Sequence, residues 1–160
     1  MTPFNDTSDQ SLAQNTKLSL NLKNKKIRDF VLKEIITRFD IILESYRPGV
    51  MERFGLGPEN VHAVNPSLIY VRVSGYGTSP KNGDQIGMAG RDLNYLAASG
   101  ILSKFRRSGN STTPVAPANI LSYYASGSIF ILSSLLQALM VNKKHTVLDC
   151  PLTKMLAYTS

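Results

Sequence analysis

Apolar and polar residues alternate across residues 17–23, where Leu18, Leu20 and Leu22 stand between polar neighbours. This period of two predicts a half-buried strand. Residues 25–39 then place Ile27, Phe30, Val31, Ile35 and Phe39 close to one helical stripe. Asp40-Ile-Ile-Leu-Glu44 is a short apolar run suited to a buried parallel strand. Pro48 fits a first helical position and Gly55 a helix stop, while Pro58 opens another turn that Asn65-Pro66 closes. Residues 67–74 form the clearest strand signal, and Gly75-Tyr-Gly77 ends it. A loop is expected over 78–90, a short helix over 92–99, a second loop over 108–117 and a last short strand over 144–150. Alternating elements of this length predict an α/β fold with a mainly parallel sheet. Ligands of such sheets bind beyond the carboxyl ends of the strands. Residues 44–53 and 74–77 are two such ends.

Residues 119–141 carry no charge and are followed by Lys143 and Lys144. By length this stretch could cross a bilayer. Its serines, with Asn119 and Gln137, make it only moderately apolar, so the expectation is a long buried helix crossing an α/β domain and no membrane span. Ser122, Ala125, Ser126 and Gly127 would let a neighbouring backbone approach closely.

Composition narrows the function classes. At 160 residues and 42% hydrophobic content the chain is one domain or part of one. The single cysteine, Cys150, excludes an internal disulfide framework and a thiolate metal cluster. His62 and His145 stand far apart without ligand spacing, so no metal is expected. The net charge of +7 implies an anionic partner. No basic run with interleaved aromatics exists, which favours a phosphate-bearing ligand over nucleic acid. Residues 1–16 are polar and hold neither Arg nor Lys; they read as a disordered tail and not as a signal peptide or mitochondrial presequence. The final Ala-Tyr-Thr-Ser is not a peroxisomal address.

The densest signal is Glu44-Ser-Tyr-Arg-Pro-Gly-Val-Met-Glu-Arg-Phe-Gly-Leu-Gly-Pro58. It joins a strand end, a proline-started turn, Arg47, Arg53 and two glycine stops, as a site for a phosphorylated ligand would. The stretch resembles the segment E-x-[FY]-R-P-G-V-x-E-R-L-G-L-G-P of the family III CoA-transferases (CaiB/BaiF type), in their α-methylacyl-CoA racemase branch. Asn65-Pro-Ser-Leu-Ile-Tyr-Val-Arg-Val-Ser-Gly-Tyr-Gly77 is similar to that branch's N-P-R-L-I-Y-A-R-L-S-G-[FW]-G. Ala89-Gly-Arg-Asp-Leu-Asn-Tyr-Leu-Ala-Ala-Ser-Gly-Ile-Leu-Ser-Lys104 is similar to A-G-H-D-I-N-Y-L-A-L-S-G-V-L-S-K. Residues 107–109 and 117–127 continue the register, so the resemblance spans about residues 17–160.

The resemblance implies part of a doubly wound large domain over 17–160, acting on acyl-CoA thioesters. Coenzyme A would enter as a substrate moiety and not as a permanently bound cofactor. It also implies a homo-oligomer or pairing with a full-length family member, in a family that works in mitochondria and peroxisomes. Arg47 and Arg53 match arginines that hold the coenzyme, and Gly75 and Gly77 would let its pantetheine arm approach the backbone. In the racemases a His in A-G-H-D and an Asp in L-x-D-F-x-G-G move the α-proton. Here those positions hold Arg91 and Tyr123. An arginine stays protonated, and a phenol of reference pKa about 10 is a poor base near neutrality. The resemblance therefore implies a catalytically divergent, truncated member. Arg91 reads as a clamp or as a record of lost catalysis. Tyr123 is expected in the core, Asp92 as the N-cap of the next helix, Asp149 in a structural role and Cys150 buried. Two alternatives stay open: an enzyme using Asp92 or Tyr124, and a non-enzymatic interaction module.

Overall fold

The computed structural model describes residues 16–106, 113–117, 121–141 and 143–158. The proposed disordered tail, apart from Thr16, lies outside these residues. So do the match at 107–109 and the first half, 108–112, of the loop predicted over 108–117.

Helix α1 (Lys25–Phe30) starts where the Asn24 side chain accepts the Lys26 N–H at 2.9 Å. It runs on through a wide turn at Val31–Ile35 and a tight one at Ile36–Arg38. Its apolar stripe places Val31, Leu32 and Ile36 against Val61, Leu68 and Tyr70. The strand expected over 17–23 does not form. The chain turns at Asn21–Asn24, and Arg28 Nη1 donates to the carbonyls of Leu22 and Lys23. Leu18, Leu20 and Leu22 line an apolar groove beside Phe39 and Leu43. Alternation alone supplies no ladder partner, and a strand needs one.

Strands β1 (Ile41–Glu44), β2 (Ile69–Ser74) and β3 (Val147–Pro151) pair in parallel in the order β1-β2-β3, with Leu43 opposite Val71 and Val71 opposite Leu148. The crossover from β1 to β2 carries α2 (Val50–Arg53) and α3 (Pro58–Val64), the latter with its proline in the first turn. The crossover to β3 carries α4 (Asp92–Ala98), a wide-turned helical segment Leu121–Ser128 and α5 (Ile129–Val141). Helix α6 (Leu152–Tyr158) follows β3. Period two along β2 sorts its side chains onto two cores. Ile69 and Val71 meet Tyr95, Leu96, Leu152 and Met155, while Leu68 and Tyr70 meet Ile36 and Val61. Helices thus cover both faces, as in a doubly wound sheet.

Two burial expectations need correction. β1 is an edge among the described strands, so Leu43 is 57% exposed and β1 is not a strand buried on both faces. The long helix is present, but α5 holds no buried residue. Phe130, Ile131, Leu135 and Ala138 form one stripe on the core, and nothing among the described residues covers Leu132, Leu136, Leu139 and Met140 on the other side. Leu121–Val141 is long and apolar enough to cross a membrane by length and composition.

Arg72 ties the carboxyl ends together. Its Nε donates to Glu44 Oε1 at 3.1 Å and its Nη1 to Glu52 Oε1 at 2.8 Å. Glu44 Oε2 also accepts the Tyr46 N–H at 2.7 Å. Burial alone would raise the Glu52 carboxyl, but hydrogen bonds from its own backbone and Arg72 hold it below its ordinary value.

Replacing Arg72 by Met should cost about 3 kcal/mol in urea denaturation, because Glu44 would stay buried without its counter-charge. Glu52 contributes fully above 4.5, and that contribution is lost as pH falls through its lower folded value. Glu52→Gln should therefore flatten the acid limb of the stability-against-pH curve, measured by the same denaturation between pH 7 and 3.

Candidate functional site

Past their carboxyl ends β1 and β2 part. The chain after β1 turns through Ser45-Tyr-Arg47-Pro48 into Gly49, whose φ of +83° sets the entry to α2. The chain after β2 turns through Gly75-Tyr-Gly77, with the Gly77 N–H held by Ser74 Oγ at 2.9 Å. Between them lies a cleft of about 420 Å³, lined among others by Arg47, Ser74, Gly75, Gly77, Tyr95 and Tyr123.

Tyr95 forms the cleft's inner wall. A Cβ on Gly75 or on Gly90 would overlap its ring, so both glycines are required for the ring to sit there. Its hydroxyl donates to the Gly90 carbonyl at 2.8 Å. Its ring meets Tyr76 and Tyr123 edge to face, at 5.3 and 6.1 Å between centroids. Burial, followed by the charge and hydrogen bond of Tyr123, pushes the Tyr95 phenol up to about 12.

A second hollow of about 550 Å³ adjoins the cleft and is lined by Ala89, Gly90, Arg91, Asn94 and Tyr123. Arg91 and Tyr123, far apart in sequence, therefore share one opening. Of the residues singled out in the sequence, Arg47, Gly75, Gly77 and Tyr123 converge on the cleft, and Arg91 joins them through this hollow. Arg53 is exposed on α2 and lines neither.

Several placements differ from expectation. Tyr123 is 43% exposed and is not a core residue. Ser122, Ser126 and Gly127 take the inward positions of its helical segment, and a Cβ on Gly127 would meet the Leu152 side chain. Asp92 is not the N-cap of α4. Arg91 occupies that position in extended conformation, with its N–H bound by Asn94 Oδ1 at 2.9 Å. Asp92 is the first helical residue, 1% exposed, and its Oδ1 accepts the Ser122 N–H at 2.8 Å and the Ser122 hydroxyl. Gly75 serves the Tyr95 ring as well as the cleft floor. Asp149 Oδ2 accepts the Thr78 N–H at 3.0 Å, tying the loop after β2 to β3. Cys150 is buried, and burial raises its thiol.

Sequence reasoning did not single out Tyr95, Glu44 or Arg72. The signal for Tyr95 was the pair Gly75 and Gly90, but only the fold shows that one ring lies against both. Chemically, the cleft offers the Arg47 guanidinium, the hydroxyls of Ser74 and Tyr123 and the Tyr95 wall. None of the described residues lining it is a carboxylate, a histidine or a lysine. Such a lining can hold an anionic group and lacks a ready proton acceptor. Among the described residues no group of three or more His, Cys, Asp or Glu is gathered as a metal site.

The family model "CoA-transferase family III" matches residues 12–148. Human alpha-methylacyl-CoA racemase is 42% identical over 148 residues, covering 90% of this chain and 37% of that protein. The mouse protein of the same name is 38% identical, covering 96% of this chain and 40% of its own length. The chain thus spans about two fifths of these relatives. A crystal structure of a hypothetical protein from Mycobacterium tuberculosis superposes with a TM-score of 0.74 at 26% identity, over 89% of this chain and 39% of that one.

Gly75→Ala should drive the Tyr95 ring off the Gly90 carbonyl and destabilise the chain by about 1–3 kcal/mol. Thermal denaturation measures the loss. Spectrophotometric titration of the tyrosines should show one phenol fewer ionising near 12.

Proposed function

Because the chain belongs to CoA-transferase family III, we propose that it is an α-methylacyl-CoA racemase-like protein. In this reading it keeps part of the site for the coenzyme A moiety of an acyl-CoA thioester and has lost the family's proton transfer. One observation carries the proposal. A cleft at the ends of β1 and β2 gathers Arg47, Gly75, Gly77 and Tyr123, while the described residues that line it include neither a carboxylate nor a histidine. Arg47 inside the cleft and Arg53 outside it supply positive charge for phosphate oxygens.

Racemisation of a 2-methylacyl thioester breaks the α C–H bond, leaves an enolate and returns a proton to the opposite face. A base, an acid and a donor to the enolate oxygen are all required. Arg91, at the hollow beside the cleft, can donate to an oxyanion and cannot accept a proton. Tyr123 at the same opening offers a hydroxyl where the racemases place a carboxylate. Asp92 is no replacement base, because its carboxylate is buried against Ser122 and does not line the cleft. The chain acts here as part of the family's large domain, with the substrate moiety as its only coenzyme.

A second reading, an interaction module that pairs with a full-length family member, is favoured by one specific observation. The outer face of α5 carries exposed Leu132, Leu136, Leu139 and Met140. Light scattering of the chain mixed with a full-length racemase should then show a complex, and two separate species would remove this reading.

Folded protein should bind an acyl-CoA thioester in equilibrium titration. Arg47→Ala should weaken binding about tenfold, or ~1.4 kcal/mol. Incubation with a 2-methylacyl-CoA in deuterium oxide, read by mass spectrometry, should show no α-deuterium above the no-protein control. Uptake would overturn the lost-chemistry half of the proposal, and absence of binding the retained-site half.

A further inference from the structure

The two residues that share the hollow, Arg91 and Tyr123, each sit next to one half of a buried hydrogen-bonded pair. Asp92 follows Arg91, and Ser122 precedes Tyr123. Asp92 Oδ1 accepts both the backbone N–H and the hydroxyl of Ser122, and the two residues are 1% and 0% exposed. No other hydrogen bond to this carboxylate is present among the described residues. Its second oxygen, Oδ2, is fully buried without a partner, as is Ser126 Oγ on the same helical segment. A buried carboxylate left with one free oxygen opposes stability. Its place at the first position of α4 rewards a negative charge only modestly. What the carboxylate does accomplish is to join the start of α4 to the start of the Leu121–Ser128 segment.

We propose that Asp92 is a positioning residue. By clamping Ser122 it fixes Tyr123 against the Tyr95 wall and beside Arg91, and so sets the shape of the opening through which an acyl thioester enters. The inference rests on the reading of the cleft as an acyl-CoA site only for the identity of that ligand; the clamp is a matter of geometry. The wide turns of Leu121–Ser128 make a clamp necessary. The Ser128 hydroxyl donates to the Tyr123 carbonyl at 2.8 Å, and a π-type turn, with its i→i+5 pattern, shifts side chains off the phase of the α-helix that follows. Tyr123 is 43% exposed, so packing alone does not hold its ring. Among the described residues its ring meets that of Tyr95.

The test compares Asp92→Ala with Asp92→Asn, which keeps an oxygen to accept from Ser122. In protein labelled with carbon-13 on tyrosine rings, and with Tyr123 assigned through Tyr123→Phe, wild type should show a ring-to-ring Overhauser effect between Tyr95 and Tyr123. Asp92→Asn should keep it. Asp92→Ala should lose at least half of it, while the ring signals of Tyr70, buried in the other core, stay unchanged. Acyl-CoA affinity should fall at least fivefold in Asp92→Ala and remain within twofold in Asp92→Asn. A folded Asp92→Ala that keeps the full Tyr95–Tyr123 effect overturns the proposal. Should Asp92→Ala fail to fold, Ser122→Ala carries the test, since it keeps the N–H donor and loses the hydroxyl. Undiminished contact in Ser122→Ala then overturns the proposal, and a loss of half or more supports it. Loss of the ring contact in a protein that binds no acyl-CoA in any form, wild type included, supports the clamp and sinks the acyl-CoA reading instead.

Discussion

The guanidinium of Arg72, near the carboxyl end of the central strand, lies between Glu44 and Glu52 and ties together the segments from which the cleft walls depart. A parallel strand paired on both sides has spent its backbone groups, so its end can be fixed to the next layer only through side chains. Arg72 does this in two directions at once, to β1 through Glu44 and to α2 through Glu52. The charge is nearly buried, so removing either carboxylate would leave it poorly compensated. Its stack over the Tyr70 ring, 6.0 Å from the centroid, adds a further contact. With these ends held, the two chains leaving β1 and β2 diverge along fixed paths, and the space between them is a site and not a frayed edge.

What lines that space decides what chemistry is open to it. A guanidinium and hydroxyls favour an anionic group, whereas abstraction of a proton from carbon requires a group that can receive it. The side chains of Arg91 and Tyr123 both line one opening. Among the described residues, the lining of cleft and opening holds hydrogen-bond donors and neither a carboxylate nor a histidine. In α5, a helix whose composition suits a covered position has only one stripe covered by the described residues.

Much of the fold was legible in the chain. The run of residues 67–74 stands as β2 at Ile69–Ser74, and Pro58 stands in the first turn of α3, because local bias and burial point the same way there. A helix over residues 25–39 was legible, but neither its wide and tight turns nor its buried face was: Phe30 and Phe39 of the expected stripe are exposed, and Leu32 and Ile36 join Val31 on the core. The strand expected at residues 17–23 did not form although Leu18, Leu20 and Leu22 lie beside β1, an edge among the described strands: alternation sorts side chains onto faces and by itself makes no backbone hydrogen bond. Asp92 was expected to cap α4 and instead reaches across to Ser122, since a capping side chain and a tertiary partner compete for the same carboxylate. Tyr123 was expected inside; a wide helical turn shifted the phase, and Ser122 took the inner place.

The amino-acid sequence by itself determined the class of fold and the family. Those are properties of residue identity, of period and of ordered motifs, all of which are written along one dimension. Only the tertiary structure decided that Arg47, Gly75, Gly77 and Tyr123 line one cleft, that Tyr95 is its wall, and that the Asp92 carboxylate accepts from Ser122. The physical reason is that each of these depends on distances between segments separated by tens of residues. Such distances are set by how two helical layers settle on a twisted sheet, and no local preference encodes them.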